Sequence, residues 1–353
     1  MYSPEVRVLP TAYADLVLNH LDRHVQAGQA FRELIGKAVM RQLDSALLIE
    51  DSFAPFRVPP QAASQIAIPD LPVVHAIEAV IDEVREEGLG SHLARLTGLF
   101  GSIMLSLSGS EDQINAVSNW VGAGASGAFF MTDLGGPSLQ QWKTILQPEE
   151  DGAMRLRVAK TWAIGAVNCG FAIVIATRTG AMAPTALLIE PEACAQLKRR
   201  PIGLPFLDGQ LQLGDALGEI RIRPDAALAR GGLIAVKQFL TVVRPRFVGS
   251  LMAHLDWLVA HGRLKVNDAH KLVAVHIADV ARSMGAATTL TRHSEDEAMA
   301  LKFASNALLF DLVESGSVVQ HGDARDLLAM TKMEGSSYRC FHELYMRGKG
   351  FRE

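Results

Sequence analysis

The sequence predicts an α+β chain in three parts: an N-terminal all-helical domain over 1–121, a middle β-barrel or sandwich domain over 122–230, and a C-terminal four-helix bundle over 231–353. Three observations carry this reading. Apolar residues recur at helical spacing through the first third, the texture changes to short strand-like runs after Gly122-Ala123-Gly124, and long helical periodicity returns from Gly232 onward.

From Ala14 to about Glu50, Leu16, Leu18, Leu21 and Val25, then Phe31, Leu34, Ile35, Val39, Leu43 and Leu47, keep a helical period. Pro55, Pro59, Pro60 and Pro69 break it over 51–71, predicting a connecting loop. Helices return over 73–84 and 91–107. Ser110 with Gln113 three positions on is a capping-box start for a helix toward Trp120, because hydroxyl and amide each satisfy a free N–H at the helix start. Runs rich in Phe, Val, Ile and Thr, bounded by Gly, Pro, Asp and Asn, predict strands over 128–132, 154–164, 171–177, 186–190 and 218–223. Four long helices near 233–262, 268–292, 296–320 and 323–347 complete the bundle.

Composition excludes several classes. With 353 residues, 49% of them hydrophobic, the chain can bury two or three cores, and its net charge of -4 with scattered Lys and Arg gives no footprint for nucleic acid. Mean hydropathy is +0.16, high for a soluble chain. Yet the apolar stretch around 173–175 is interrupted by Asn168 and Arg178, so no membrane span is expected and the surplus points to subunit interfaces. No basic segment followed by an apolar core stands near Met1, which makes the cytoplasm the expected location. Cys169, Cys194 and Cys340 have neither metal spacing nor an even count, and read as reduced thiols.

Common catalytic motifs are missing. Gly122-Ala123-Gly124-Ala125-Ser126-Gly127 fits a dinucleotide-binding pattern but follows a helix and enters a strand, the reverse of the order that puts phosphate at a helix N-terminus. His342-Glu343 has no second His on the same helical face, and no Ser sits in a Gly-Xaa-Ser-Xaa-Gly elbow.

The landmarks that remain run in a specific order. Gly109-Ser110-Glu111-Asp112-Gln113 is similar to the Gly-Thr-Glu-Glu-Gln helix start of the acyl-CoA dehydrogenase family, and Gly127-Ala128-Phe129-Phe130-Met131-Thr132-Asp133 to its Gly-Ala-Phe-Ala-Leu-Thr-Glu strand end. Gly135 and Ser138 fall where that family has a Gly-Ala-Gly-Ser turn, and Lys160-Thr161-Trp162 where it has Lys-Xaa-Trp-Ile-Thr. Residues 217–228, Arg244-Pro245, His270-Lys271 and Met333-Glu334-Gly335-Ser336-Ser337 resemble its later landmarks, the last its Tyr-Glu-Gly-Thr-Ser. The resemblance spans about residues 100–345.

It implies an FAD-dependent dehydrogenase of acyl thioesters, carried by CoA or a carrier protein, with the same three-part fold. In that family the flavin lies between the β domain and the bundle. A carboxylate removes the proton next to the thioester carbonyl while hydride leaves the neighbouring carbon for the flavin. Glu334 is the implied base and Arg244 steadies its carboxylate or loop. Met131, Thr132 and Trp162 are implied to meet the flavin, Ser138 the cofactor or substrate, and Gly335 the substrate. Ile164 stands where the family has a Thr that bonds the flavin nitrogen. Arg263 stands in a shortened segment where a family Arg clamps a neighbouring subunit's FAD. Read alone, Glu334 is a solvated carboxylate on a helical segment, and Trp162 a core aromatic. A homodimer or homotetramer is expected, with electron-transfer flavoprotein or oxygen as acceptor. The alternatives are a non-catalytic subunit paired with a paralogue, and a flavin monooxygenase or oxidase.

Overall fold

The computed structural model describes residues 8–46, 66–67, 72–90, 92–136, 139–179, 184–203, 206–229, 233–291 and 293–349. In chain order these form α1 (Val8–Leu21), α2 (Gln29–Ala46), β1 (Ile66–Ala67), α3 (Pro72–Glu87), α4 (His92–Ser108), α5 (Glu111–Gly122), β2 (Gly127–Phe130), β3 (Ile145–Pro148), β4 (Met154–Ala163), β5 (Phe171–Arg178), β6 (Thr185–Ile189), α6 (Pro191–Cys194), β7 (Lys198–Pro201), β8 (Gly214–Ile222), α7 (Leu233–Ala260), α8 (Asp268–Gly285), β9 (Thr289–Leu290), α9 (Ser294–Glu314), α10 (His321–Met330) and α11 (Ser337–Lys349). Helices plus one curled sheet make the expected α+β architecture. Of the proline-rich 51–71 stretch, only Ile66 and Ala67 are among the described residues, and they pair antiparallel with β9. No helix of the described residues is long and apolar enough to cross a membrane.

The chain divides into two units built from non-contiguous stretches. One comprises residues 71–80 and 89–239, the other 1–70, 81–88 and 240–353. In the first, seven strands run in the order β2-β5-β3-β4-β8-β7, with β6 on the other side of β5. β5 pairs in parallel first with β2 and then, at its C-terminal end, with β3, so one strand serves two successive neighbours and the sheet curls. β4 alternates as a half-buried strand should: Leu156 and Val158 face inward while Arg155 and Arg157 face out. Phe130, Leu146, Val174, Leu187, Ile189, Ile220 and Ile222 fill the same core. The Ser110–Gln113 capping box forms as expected, and the Gln113 amide also donates to the carbonyls of Asp225 and Ala227.

Two strands of this seven-stranded sheet fall outside the sequence expectation. β3 has only four residues, and β7 is the Lys198-Arg199-Arg200 cluster itself, which forms the edge of the sheet beside β8, where charge discourages further pairing.

In the second unit α9 is buried on nearly every side from Ala298 to Leu309, making it the central helix of the bundle. The expected single helix over 323–347 is in fact two, α10 and α11, separated by 331–336. The cause lies in two backbones: Glu334 has φ 55° and Gly335 φ 126°, neither of which a right-handed helix accommodates.

Candidate functional site

In the sheet unit the residues singled out at the end of β2 and in β4 come together. The Thr161 N–H donates to the carbonyl of Thr132 at 3.0 Å, and Asp133 bridges to Lys160 across the same gap. Between Lys160 and Ala163 the pairing of β4 with β8 shifts register. At that bulge Trp162 takes φ 54° and its side chain is 53% exposed. Thr132 is exposed beside it, and Met131 and Ile164 are half-buried. An aromatic this exposed on a sheet is unusual, and with the Thr132 hydroxyl it offers a flat apolar face bordered by a hydrogen-bonding group.

What holds this surface is a buried ion pair. Asp133 accepts from the N–H groups of Gly135 (2.8 Å), Lys143 (2.8 Å) and Thr144 (3.0 Å). The fully buried Lys160 Nζ lies 3.4 Å from Asp133, donates to the Met131 carbonyl at 2.9 Å and sits 4.1 Å above the Trp142 ring. Burial alone would raise the Asp133 carboxyl, yet the bonds from Lys143, Thr144 and Gly135, with the Lys160 charge, hold it below its usual value. Burial brings Lys160 down to about 8 against the pull of Asp133. Gly135 has no alternative: a Cβ there would lie 1.7 Å from the Gln141 carbonyl oxygen. Thr161 is fixed in turn, its hydroxyl donating to Asp215 at 2.7 Å while Arg200 bonds the other oxygen. Ser138 lies outside the described residues.

In the helical unit Glu334 stands on the break between α10 and α11, a correction to its expected helical setting. It is half-buried, and burial raises its carboxyl while Arg244 and Lys302 oppose the shift. Arg244, buried on α7, donates from Nε to the Glu334 carbonyl at 2.9 Å, so it grips the loop that carries the carboxylate. Gly335 follows, and a Cβ there would lie 2.9 Å from Cys340 Sγ and 3.5 Å from Arg244 Nη2. Glu334, Gly335 and Arg244 are thus brought together, the first two by chain continuity and the third by a hydrogen bond.

Arg263 belongs to a different cluster. Its guanidinium takes both oxygens of the buried Asp323 and lies 4.9 Å from the Trp257 ring centre. Two residues beneath the Glu334 loop escaped the sequence reading, Lys302 and Asn306 on α9. Their signal was present: a Lys and an Asn four apart, hence on one helical face, inside the otherwise apolar run from Ala298 to Leu309.

No family model matches the chain, and no curated protein matches it in sequence. Solved structures do. A glutaryl-CoA dehydrogenase from Mycobacterium smegmatis in complex with FADH2 matches with TM-score 0.59 and 14% identity, over 97% of this chain and 94% of that one. Butyryl-CoA dehydrogenase from Megasphaera elsdenii matches with TM-score 0.57 and 14% identity, over 80% of this chain and 82% of that one. The prolyl acyl carrier protein oxidase AnaB matches with TM-score 0.58 and 14% identity, over 100% of both chains.

Proposed function

From the acyl-CoA dehydrogenase fold as premise, we propose that this chain is an FAD-dependent oxidoreductase that introduces an α,β double bond into an acyl thioester. The observation that carries the proposal is Glu334, a carboxylate with a raised proton affinity on a left-handed backbone, its carbonyl gripped by a buried arginine.

The residues present fit the flavin ring. Trp162 leaves half its surface free at a bulge that aims it outward, and Thr132 stands one hydrogen-bonded step away. In this reading Trp162 packs on the isoalloxazine, Thr132 bonds its edge, and Met131 and Ile164 flank it. Ser138 keeps its expected role toward cofactor or substrate. Bound FAD supplies the hydride acceptor. Arg263 is already paired with Asp323, so a role toward FAD would have to use its remaining guanidinium edge.

Glu334 takes the proton from the carbon next to the thioester carbonyl, and its raised proton affinity suits a base that works near neutral pH. The backbone N–H of Glu334 polarises the thioester oxygen, where negative charge gathers as the proton leaves. Gly335 keeps the neighbouring space free of a side chain. Arg244 acts as a positioning residue through the Glu334 carbonyl. A homodimer or homotetramer in the cytoplasm completes the proposal, checked by the mass of the purified protein in solution.

The AnaB match over the whole of both chains favours a second version, in which the acyl group rides on a carrier protein and oxygen reoxidises the flavin. Turnover of the same acyl group on CoA and on carrier protein, with and without oxygen, separates the two. For the shared proposal, the purified chain is mixed with FAD and assayed with acyl thioesters. Bound flavin absorbance and an enoyl product that disappears in Glu334→Gln are expected. A protein that takes up no flavin, or a fully active Glu334→Gln, overturns it.

A further inference from the structure

Besides Arg244, the break that carries Glu334 is held by two side chains with no part in the chemistry just described. Lys302 is fully buried on α9, yet among the described residues it makes no direct ion pair with a carboxylate. Its Nζ donates to Oδ1 of Asn306 and, at 3.2 Å, to the carbonyl of Met330, the last residue of α10. Asn306, also fully buried, donates from Nδ2 to the carbonyls of Thr331 and Gly335, each at 3.2 Å. Arg244 holds the Glu334 carbonyl. Four carbonyls of the 330–335 segment are therefore taken by three buried polar side chains from α7 and α9.

A helix end leaves its last carbonyls without intrahelical partners, and burying them unpaired is expensive. A Gly just past α10 in a left-handed conformation would be the ordinary remedy. Here the left-handed positions come later, at Glu334 and Gly335, and side chains from neighbouring helices supply the donors instead. A core position that needed only volume would carry Leu or Met, because a lysine loses its hydration on burial. The chain spends a buried lysine where its donors reach the Glu334 loop.

We propose that Lys302, acting with Asn306, is the positioning residue that fixes the backbone of Glu334 in its left-handed conformation. This rests on Glu334 being the base. The titratable and charged groups around the loop are Arg244 on α7, Lys302 on α9 and Cys340 on α11, with Arg339 and Glu343 on α11 acting in turn on Cys340. Among them Lys302 and Arg244 favour the ionised form of Glu334. Losing Lys302 therefore loosens the loop and raises the proton affinity of the carboxylate together.

The test uses the FAD-loaded protein and two variants, Lys302→Met and Asn306→Ala. Misplacing a catalytic group by about an ångström costs roughly 100-fold. Both variants should lower kcat by roughly 10- to 100-fold and move KM by less than about threefold. In Lys302→Met the acidic limb of the kcat profile should move to higher pH. NMR titration of the isotope-labelled Glu334 carboxyl, assigned with Glu334→Gln, should show the same upward move without any turnover. Folded variants with unchanged kcat and an unmoved carboxyl titration would overturn the proposal. So would failure of both variants to fold, which would make the pair structural. A Glu334→Gln enzyme that keeps its activity refutes the base instead, and the carboxyl titration still reads the positioning.

Discussion

Thr132 and Trp162 on the sheet unit are anchored by a buried pair of opposite charges, Asp133 and Lys160, in which the anion also takes three backbone N–H groups. The Glu334 break on the helical unit is anchored by Arg244, Lys302 and Asn306, whose bonds to it all end on backbone carbonyls. The difference shows in the protons. Asp133 is pushed toward its charged form, while Glu334 is pushed toward its neutral form and Lys302 falls to about 7. One surface keeps its anion charged under three N–H groups; in the other, burial shifts Glu334 and Lys302 alike toward their neutral forms.

The largest expected effect that sharpens this contrast comes from cutting each lysine. Lys160→Met strands a buried carboxylate and should cost about 3–5 kcal/mol in denaturant unfolding, with weakened flavin uptake. Lys302→Met leaves no directly paired carboxylate behind and should cost no more than about 2 kcal/mol. Equal losses would break the comparison.

The next effect is a pH slope. Lys302 and Lys160 bind protons more weakly folded than unfolded, with folded values of about 7 and about 8. Between those values and the usual lysine range the unfolded chain carries more protons, so stability rises with pH there and is lost as pH falls through the folded values. One such group contributes about 1.4 kcal/mol per pH unit inside its window. Denaturant unfolding as pH rises from about 7 to about 8 should carry the Lys302 slope on top of that of Cys194, whose thiol Cys169 and Arg199 also bring down to about 7. Lys302→Met should lower the combined slope, and an unchanged slope would contradict the assignment.

Smaller effects fall on the backbone of the break. Gly335→Ala places a Cβ against Cys340 Sγ at φ 126° and should cost about 1–3 kcal/mol, measured by thermal unfolding. Glu334→Gly removes the left-handed strain of a residue with a Cβ and should stabilise by about 1 kcal/mol while abolishing turnover. A loss of stability there would mean that the loop, not the side chain, prefers this shape.

The same contrast explains what could be seen in the sequence. The sheet-side residues were legible because a strand announces itself by alternation and its end by Thr-Asp before Gly-Gly-Pro; β4 and the capping box of Ser110 and Gln113 formed where expected. The break at 331–336 was not, because apolar spacing continues across it through Met330 and Met333 to Phe341, and periodicity cannot register a change in φ at two residues. Lys302 was hidden for a related reason: a charge reads as an exposed position until the residues on every side of it prove to be core. β7 reads as a charge cluster because strand propensity does not cover an edge of Lys and Arg. Glu334 was found as a candidate from its neighbours, and its setting only from the fold.

The most direct test of the account is exchange of the hydrogen next to the thioester carbonyl with heavy water, followed by mass spectrometry on a saturated acyl thioester incubated with the FAD-loaded protein. Exchange isolates proton removal from electron transfer, and general bases of this kind contribute roughly 10²–10⁴-fold. The wild-type chain should exchange that hydrogen, and Glu334→Gln should do so slower by that factor. Equal exchange by both would contradict the assignment of Glu334 as the base.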